Sequence, residues 1–123
     1  MTTATIDIAN QLAEFCREEK YIEAVETLYD ENIVSLEPVG TEEMPARLEG
    51  KQDVMNKNKW FIDNFEVVES TVYGPYPNGD RFALAFCLTA KNKETEETSK
   101  MEEVALYTVN NGKIVQEEFF HAC

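Results

Sequence analysis

Histidine occurs once in this chain, glycine five times and proline four times, and no apolar run is long enough to cross a bilayer. One histidine among dispersed acids and widely separated cysteines gives no metal-ligand spacing, so no metal site is expected. There is no Gly-rich phosphate loop, no nucleophile elbow and no CxxC pair, and no cofactor is expected. Met1-Thr2-Thr3-Ala4-Thr5 has no signal-peptide character, which points to a cytoplasmic protein with no membrane partner. The cysteines, Cys16, Cys87 and Cys123, are odd in number and suit a reducing compartment, with Cys123 placed as an exposed terminal thiol. Basic residues are also scarce. Eleven Lys plus Arg against 24 Asp plus Glu give a net charge of −13, which argues against nucleic acid and anionic membranes as partners. Solubility is the plainest use of that charge.

What is present fits one globular domain over residues 1–123: 43% hydrophobic and 28% charged residues. A chain of this length buries roughly two thirds of its unfolded surface without disulfides. Ile8, Leu12 and Phe15 follow helical spacing and predict a helix over Thr5–Glu19. A second helix over Tyr21–Tyr29 places Ile22, Val25, Leu28 and Tyr29 on one side. Ile33–Glu37 is a short strand stopped by Pro38, and Gly40–Gly50 is a loop. Gly50–Phe65 is an amphipathic helix with Val54, Phe61 and Phe65 on its apolar face. Asn58 falls inside that arc, either hydrogen-bonded into the core or pointing a polar group into a pocket. Trp60 lies off the arc, at a helix edge or interface.

Beyond Phe65 the period changes to two. Strands are expected over Val67–Tyr76 and Arg81–Lys91, the second with large residues on one face and small ones on the other. Lys91–Lys100 is a charged, solvated hairpin tip. Asn111-Gly112 then forms a two-residue turn between Met101–Val109 and Ile114–His121, because a type I′ turn needs positive φ at both central residues. An unbroken register pairs Val109 with Ile114, Tyr107 with Gln116, Ala105 with Glu118 and Glu103 with Phe120. The implied fold class is α+β, with N-terminal helices on the concave face of a strongly curved, mostly antiparallel sheet.

In that register Glu103, Tyr107, Gln116, Glu118 and Phe120 share one face, which mixes carboxylates and a phenol into an apolar row. Such a row suits a cavity lining better than a dry core. Glu103 and Glu118 are therefore candidate general bases and Tyr107 a candidate donor to a developing enolate. Tyr29, Glu37, Asn58, Phe61, Phe65, Gln116 and Phe120 are the candidate ligand-binding residues. The alternatives are a buried polar network among the same groups, or a β-bulge that shifts the faces by one residue. Glu37 is either a solvated strand terminus or a carboxylate at the cavity rim. His121 falls on the opposite face, in a terminal or interface role.

Leu48-Glu49-Gly50-Lys51 leading into Lys59-Trp60-Phe61, the long meander, and the ending Asn111-Gly112-Lys113-Ile114-Val115-Gln116-Glu117-Glu118-Phe119-Phe120 together resemble SnoaL-like domains of the nuclear transport factor two superfamily. The resemblance spans nearly the whole chain. It implies a cone-shaped α+β barrel, a homodimer meeting through sheet surfaces, and a pocket at the wide end of the cone. It also implies diverse chemistry, including polyketide cyclases, ketosteroid isomerases and dehydratases. The cyclases use an Asp near the last strand, where this chain has Phe119-Phe120-His121 and no Asp. The expected function is binding of an apolar small molecule, with proton transfer of the isomerase, cyclase or dehydratase type by a pocket carboxylate. The alternative is a non-enzymatic dimerisation or accessory domain whose cavity is filled by its own phenylalanines.

Overall fold

The computed structural model describes residues 4–42 and 44–121. Three helices, α1 (Thr5–Arg17), α2 (Tyr21–Leu28) and α3 (Lys51–Asn64), pack on one six-stranded curved sheet that does not close. Its strands are β1 (Tyr29–Leu36), β2 (Arg47–Glu49), β3 (Phe65–Asn78), β4 (Arg81–Asn92), β5 (Thr98–Asn110) and β6 (Lys113–His121), in spatial order β2-β1-β6-β5-β4-β3. The expected Cys123 thiol lies outside the described residues.

Helix α1 buries Ile8, Ala9, Leu12, Ala13 and Cys16, the stripe expected from their spacing. It ends earlier than expected, because Glu19 takes a left-handed φ of 59°. Tyr29 does not continue α2; it turns to extended backbone and opens β1. β1 then pairs with β6 in parallel, so the sheet is mixed, and a three-residue strand, β2, forms inside the expected loop. The core lies between helices and sheet, with Leu12, Val25, Ile33, Val54, Phe82, Leu84 and Ile114 almost fully buried.

The Asn111-Gly112 turn forms as its sequence dictates, with φ of 51° and 75°. Gly112→Ala is expected to cost about 1 kcal/mol, since alanine resists positive φ, and urea unfolding measures the loss.

The register next to that turn is where the sequence reading fails. Val109 faces Ile114, but Thr108 faces Gln116, so Val115 is an extra residue with no partner opposite. From there Tyr107 faces Glu117, Ala105 faces Phe119 and Glu103 faces His121. Side-chain direction has a period of two, so one inserted residue exchanges the faces of all that follows. Gln116, Glu118 and Phe120 therefore turn to the outer face with Thr108, Leu106 and Val104. Glu117, Phe119 and His121 turn inward.

Candidate functional site

A cavity of about 560 Å³ lies between the concave face and the helices. Its apolar walls come from Phe61 on α3, Phe65, and Phe86, Leu88 and Met101 on β4 and β5. Phe61 and Phe65, four residues apart, stack with centroids 5.2 Å apart. Trp60 meets Phe65 edge-on at 5.9 Å and borders the cavity while 44% exposed.

A polar network forms the inner end. Glu117 is 2% exposed; one carboxylate oxygen accepts the Tyr29 hydroxyl and the other accepts the Ser35 hydroxyl at 2.7 Å. Lys57 donates to Ser35 Oγ at 2.7 Å and to Glu37 Oε1 at 3.2 Å, and lies 3.6 Å from Glu117 Oε2. Its ammonium also sits 4.8 Å from the centre of the Phe119 ring. Among the described residues no buried side-chain nitrogen or oxygen is left unpartnered. Burial, and then the Glu117 charge, hold the Tyr29 phenol well above its ordinary pKa, so Tyr29 stays a donor. Burial likewise pushes the Cys16 thiol beside the cavity up to about 12, which makes it an unreactive wall group.

Glu37, Glu103 and His121 form the outer end. His121 Nε2 lies 3.3 Å from Glu103 Oε2 and 3.7 Å from Glu37 Oε2. Side-chain exposure rises outward, from 3% at Glu117 through 23% at Glu37 and Glu103 to 50% at His121, which marks this as the mouth. Desolvation raises the Glu103 carboxyl pKa, Glu37 adds to the rise, and His121 and Lys57 oppose it. Tyr107, 2% exposed, stacks on Phe82 with centroids 4.9 Å apart and lines the cavity. Burial keeps its phenol protonated.

Folding thus brings Glu103, Tyr107, Glu37 and Tyr29 to one cavity, with Asn58, Phe61 and Phe65 beside them. The Asn58 amide nitrogen is spent on the Val54 carbonyl at 2.9 Å, one turn back in α3. Glu118, Gln116 and Phe120 do not line this cavity, because of the bulge at Val115. His121, expected on the outer face, stands at the mouth for the same reason. Sequence reasoning missed Lys57, Ser35, Glu117 and Phe119. Lys57 carried a signal, lying three residues after Val54 and four before Phe61, on the apolar side of α3. Glu117 carried none, since nothing in Ile114-Val115-Gln116 marks a bulge. The expected lack of ligand spacing also fails in space: atoms of Glu37, Glu103 and His121 all lie within 4.8 Å of one another.

The profile of the SnoaL-like domain family matches residues 1–121. Among solved structures, a candidate SnoaL-like polyketide cyclase from Mesorhizobium loti is 36% identical, with a TM-score of 0.89 over 96% of this chain and 99% of that one. A candidate isomerase from Bacillus subtilis is 20% identical, with a TM-score of 0.77 over 96% of this chain and 86% of that one. A nuclear transport factor two-like protein of unknown function from Burkholderia pseudomallei is 11% identical, with a TM-score of 0.77 over 96% and 90%. No match is found among curated proteins.

Proposed function

Because the chain belongs to the SnoaL-like domain family, we propose that it binds an apolar small molecule in this cavity and moves a proton on it. Glu103 is the general base. A carbon acid next to a carbonyl gives its proton to the Glu103 carboxylate, and the electron pair moves onto the carbonyl oxygen. The Tyr107 hydroxyl donates to that oxygen as its charge grows. Return of the proton to another carbon gives isomerisation, and attack of the enolate on a second carbonyl closes a ring. Glu103 and Tyr107 lie on the same face of β5, and both line the cavity.

The carrying observation is the contrast between two carboxylates. Glu117 is spent on Tyr29, Ser35 and Lys57, whereas Glu103 has the half-exposed His121 on one side and the like charge of Glu37 on the other. A desolvated carboxylate with few partners is a base usable near neutral pH. The accessory-domain alternative needs a self-filled cavity. Phe82 instead packs against Tyr107 in the core and Phe120 turns outward, which leaves the space open.

The test is proton exchange. Small ketones and β-keto esters incubated with the protein in D₂O are expected to gain deuterium, followed by NMR, and Glu103→Gln is expected to stop it. Exchange as fast in the variant as in the parent protein excludes Glu103 as the base.

The outer face supports a homodimer. Tyr73, Ala85, Val104 and Phe120 are cross-strand neighbours in one row over four strands, with Tyr73, Val104 and Phe120 exposed by 51%, 43% and 47%. An uncovered apolar row of this length marks an association surface. Light scattering is expected to give the dimer mass, and Val104→Glu with Phe120→Glu the monomer mass. A parent protein that is monomeric at micromolar concentration rules the dimer out.

A further inference from the structure

Proton transfer needs one base, but the mouth of this cavity holds two carboxylates. The cavity as a whole carries Glu37, Glu103 and Glu117 against one lysine, Lys57. That lysine is fully engaged, with Ser35, Glu37 Oε1 and Glu117 Oε2 around its ammonium at 2.7, 3.2 and 3.6 Å. Glu37 Oε2 and the Glu103 carboxylate are left facing each other across the mouth. Besides Lys57 on Glu37 Oε1, His121 stands beside both, with Nε2 3.7 Å from Glu37 Oε2 and 3.3 Å from Glu103 Oε2.

A second group is left over deeper in the cavity. Tyr107 is 2% exposed and borders the cavity, and no described residue hydrogen-bonds its hydroxyl, which is not sealed from the cavity space. A buried phenol ordinarily finds a partner, and here the open direction is the cavity. Glu103 and Tyr107 lie four residues apart on one strand face, so their Cα atoms are roughly 13 Å apart.

Resting on the reading of this cavity as a small-molecule site, we propose that its ligand is an apolar amine. Its ammonium sits between the carboxylates of Glu37 and Glu103, and an oxygen at its far end meets the Tyr107 hydroxyl. The ammonium relieves the repulsion between two carboxylates held close together in an apolar enclosure. The apolar walls ask for an organic body, and the Lys57 ammonium already on Glu37 works against a bare divalent cation.

Four probes with one aromatic body test this: tyramine, tyrosol, para-hydroxyphenylacetate and phenethylamine. The chain has a single histidine, so the His121 ring protons report on the mouth without ambiguity in an NMR titration. Tyramine is expected to bind roughly tenfold tighter than tyrosol, the neutral alcohol, and para-hydroxyphenylacetate not to bind. Phenethylamine, which lacks the far oxygen, is expected to bind more weakly than tyramine, and Tyr107→Phe to remove that difference. Glu37→Gln and Glu103→Gln are each expected to bring tyramine down towards tyrosol. If tyrosol binds as tightly as tyramine, the amine proposal falls and the small-molecule reading stands. If none of the probes binds, both fall. If zinc ions move the His121 signals at lower concentration than tyramine and block it, the mouth is a metal site and the proposal is overturned.

Discussion

Glu117→Ala is expected to lower the free energy of unfolding by about 3–5 kcal/mol, the largest stability effect of any single substitution considered for this chain. The carboxylate is 2% exposed and serves Tyr29, Ser35 and Lys57 together. Its removal leaves two buried hydroxyls short of a partner and takes one of two anions from a lysine whose side chain is 14% exposed. Each unsatisfied buried group costs about 1–3 kcal/mol, and the lysine adds to that because charge is expensive to keep in a desolvated site. Glu117→Gln keeps the shape but only one acceptor oxygen, so one of the two hydroxyls faces an NH₂ donor instead, and its cost is expected to be about 1–3 kcal/mol. Urea unfolding of both variants is the measurement. An alanine variant within 1 kcal/mol of the parent protein would mean that the network stabilises nothing. The network also joins β1, α3 and β6, so its loss is expected to loosen the cavity.

Glu103→Gln is expected to act in the opposite sense on stability and, on the proton-transfer reading, to slow proton transfer. Burial and the neighbouring Glu37 raise the Glu103 carboxyl in the folded state above its ordinary unfolded value. Between those two values the native protein binds more protons than the unfolded chain, so stability falls as pH rises through that window. Above the window the penalty is constant. Glutamine carries no such penalty, so the stability of Glu103→Gln relative to the parent protein is expected to grow across the window and stay level beyond it. Thermal melts from pH 4 to 8 follow this directly. A gap that shrinks with rising pH contradicts the assigned direction. On the proton-transfer reading, the same substitution costs on the order of a hundredfold to ten-thousandfold in rate. The rate of the parent protein is expected to rise with pH through an apparent value above the usual carboxylate range. A stabilised but inactive variant is the signature of a site that trades stability for a reactive carboxylate.

Much of the fold was legible because the deciding physics is local. The apolar spacing of Ile8, Leu12 and Phe15 makes α1 amphipathic whatever it packs against. Asn111-Gly112 supplies positive φ wherever it stands, and the alternation from Phe82 to Leu88 makes β4 a strand with unlike faces. Glu103 and Tyr107 share the cavity face because β5 runs from Thr98 to Asn110 as one strand whose alternation holds.

The sequence by itself determined the order of the helices and long strands, the family and half of the candidate site: the residues of β5 and α3 that one uninterrupted period carries to the cavity. Tertiary structure alone decided the other half. The parallel pairing of β1 with β6 and the extra residue at Val115 are settled by how two strands distant in sequence fit one curved sheet. A bulge there adds twist and bends the strand, at the cost of one unpaired residue, and no neighbouring residue type announces it. That one insertion replaces Gln116, Glu118 and Phe120 at the cavity with Glu117, Phe119 and His121. The carboxylate that holds the fold and the histidine at the mouth are products of register, which a sequence read one strand at a time does not contain.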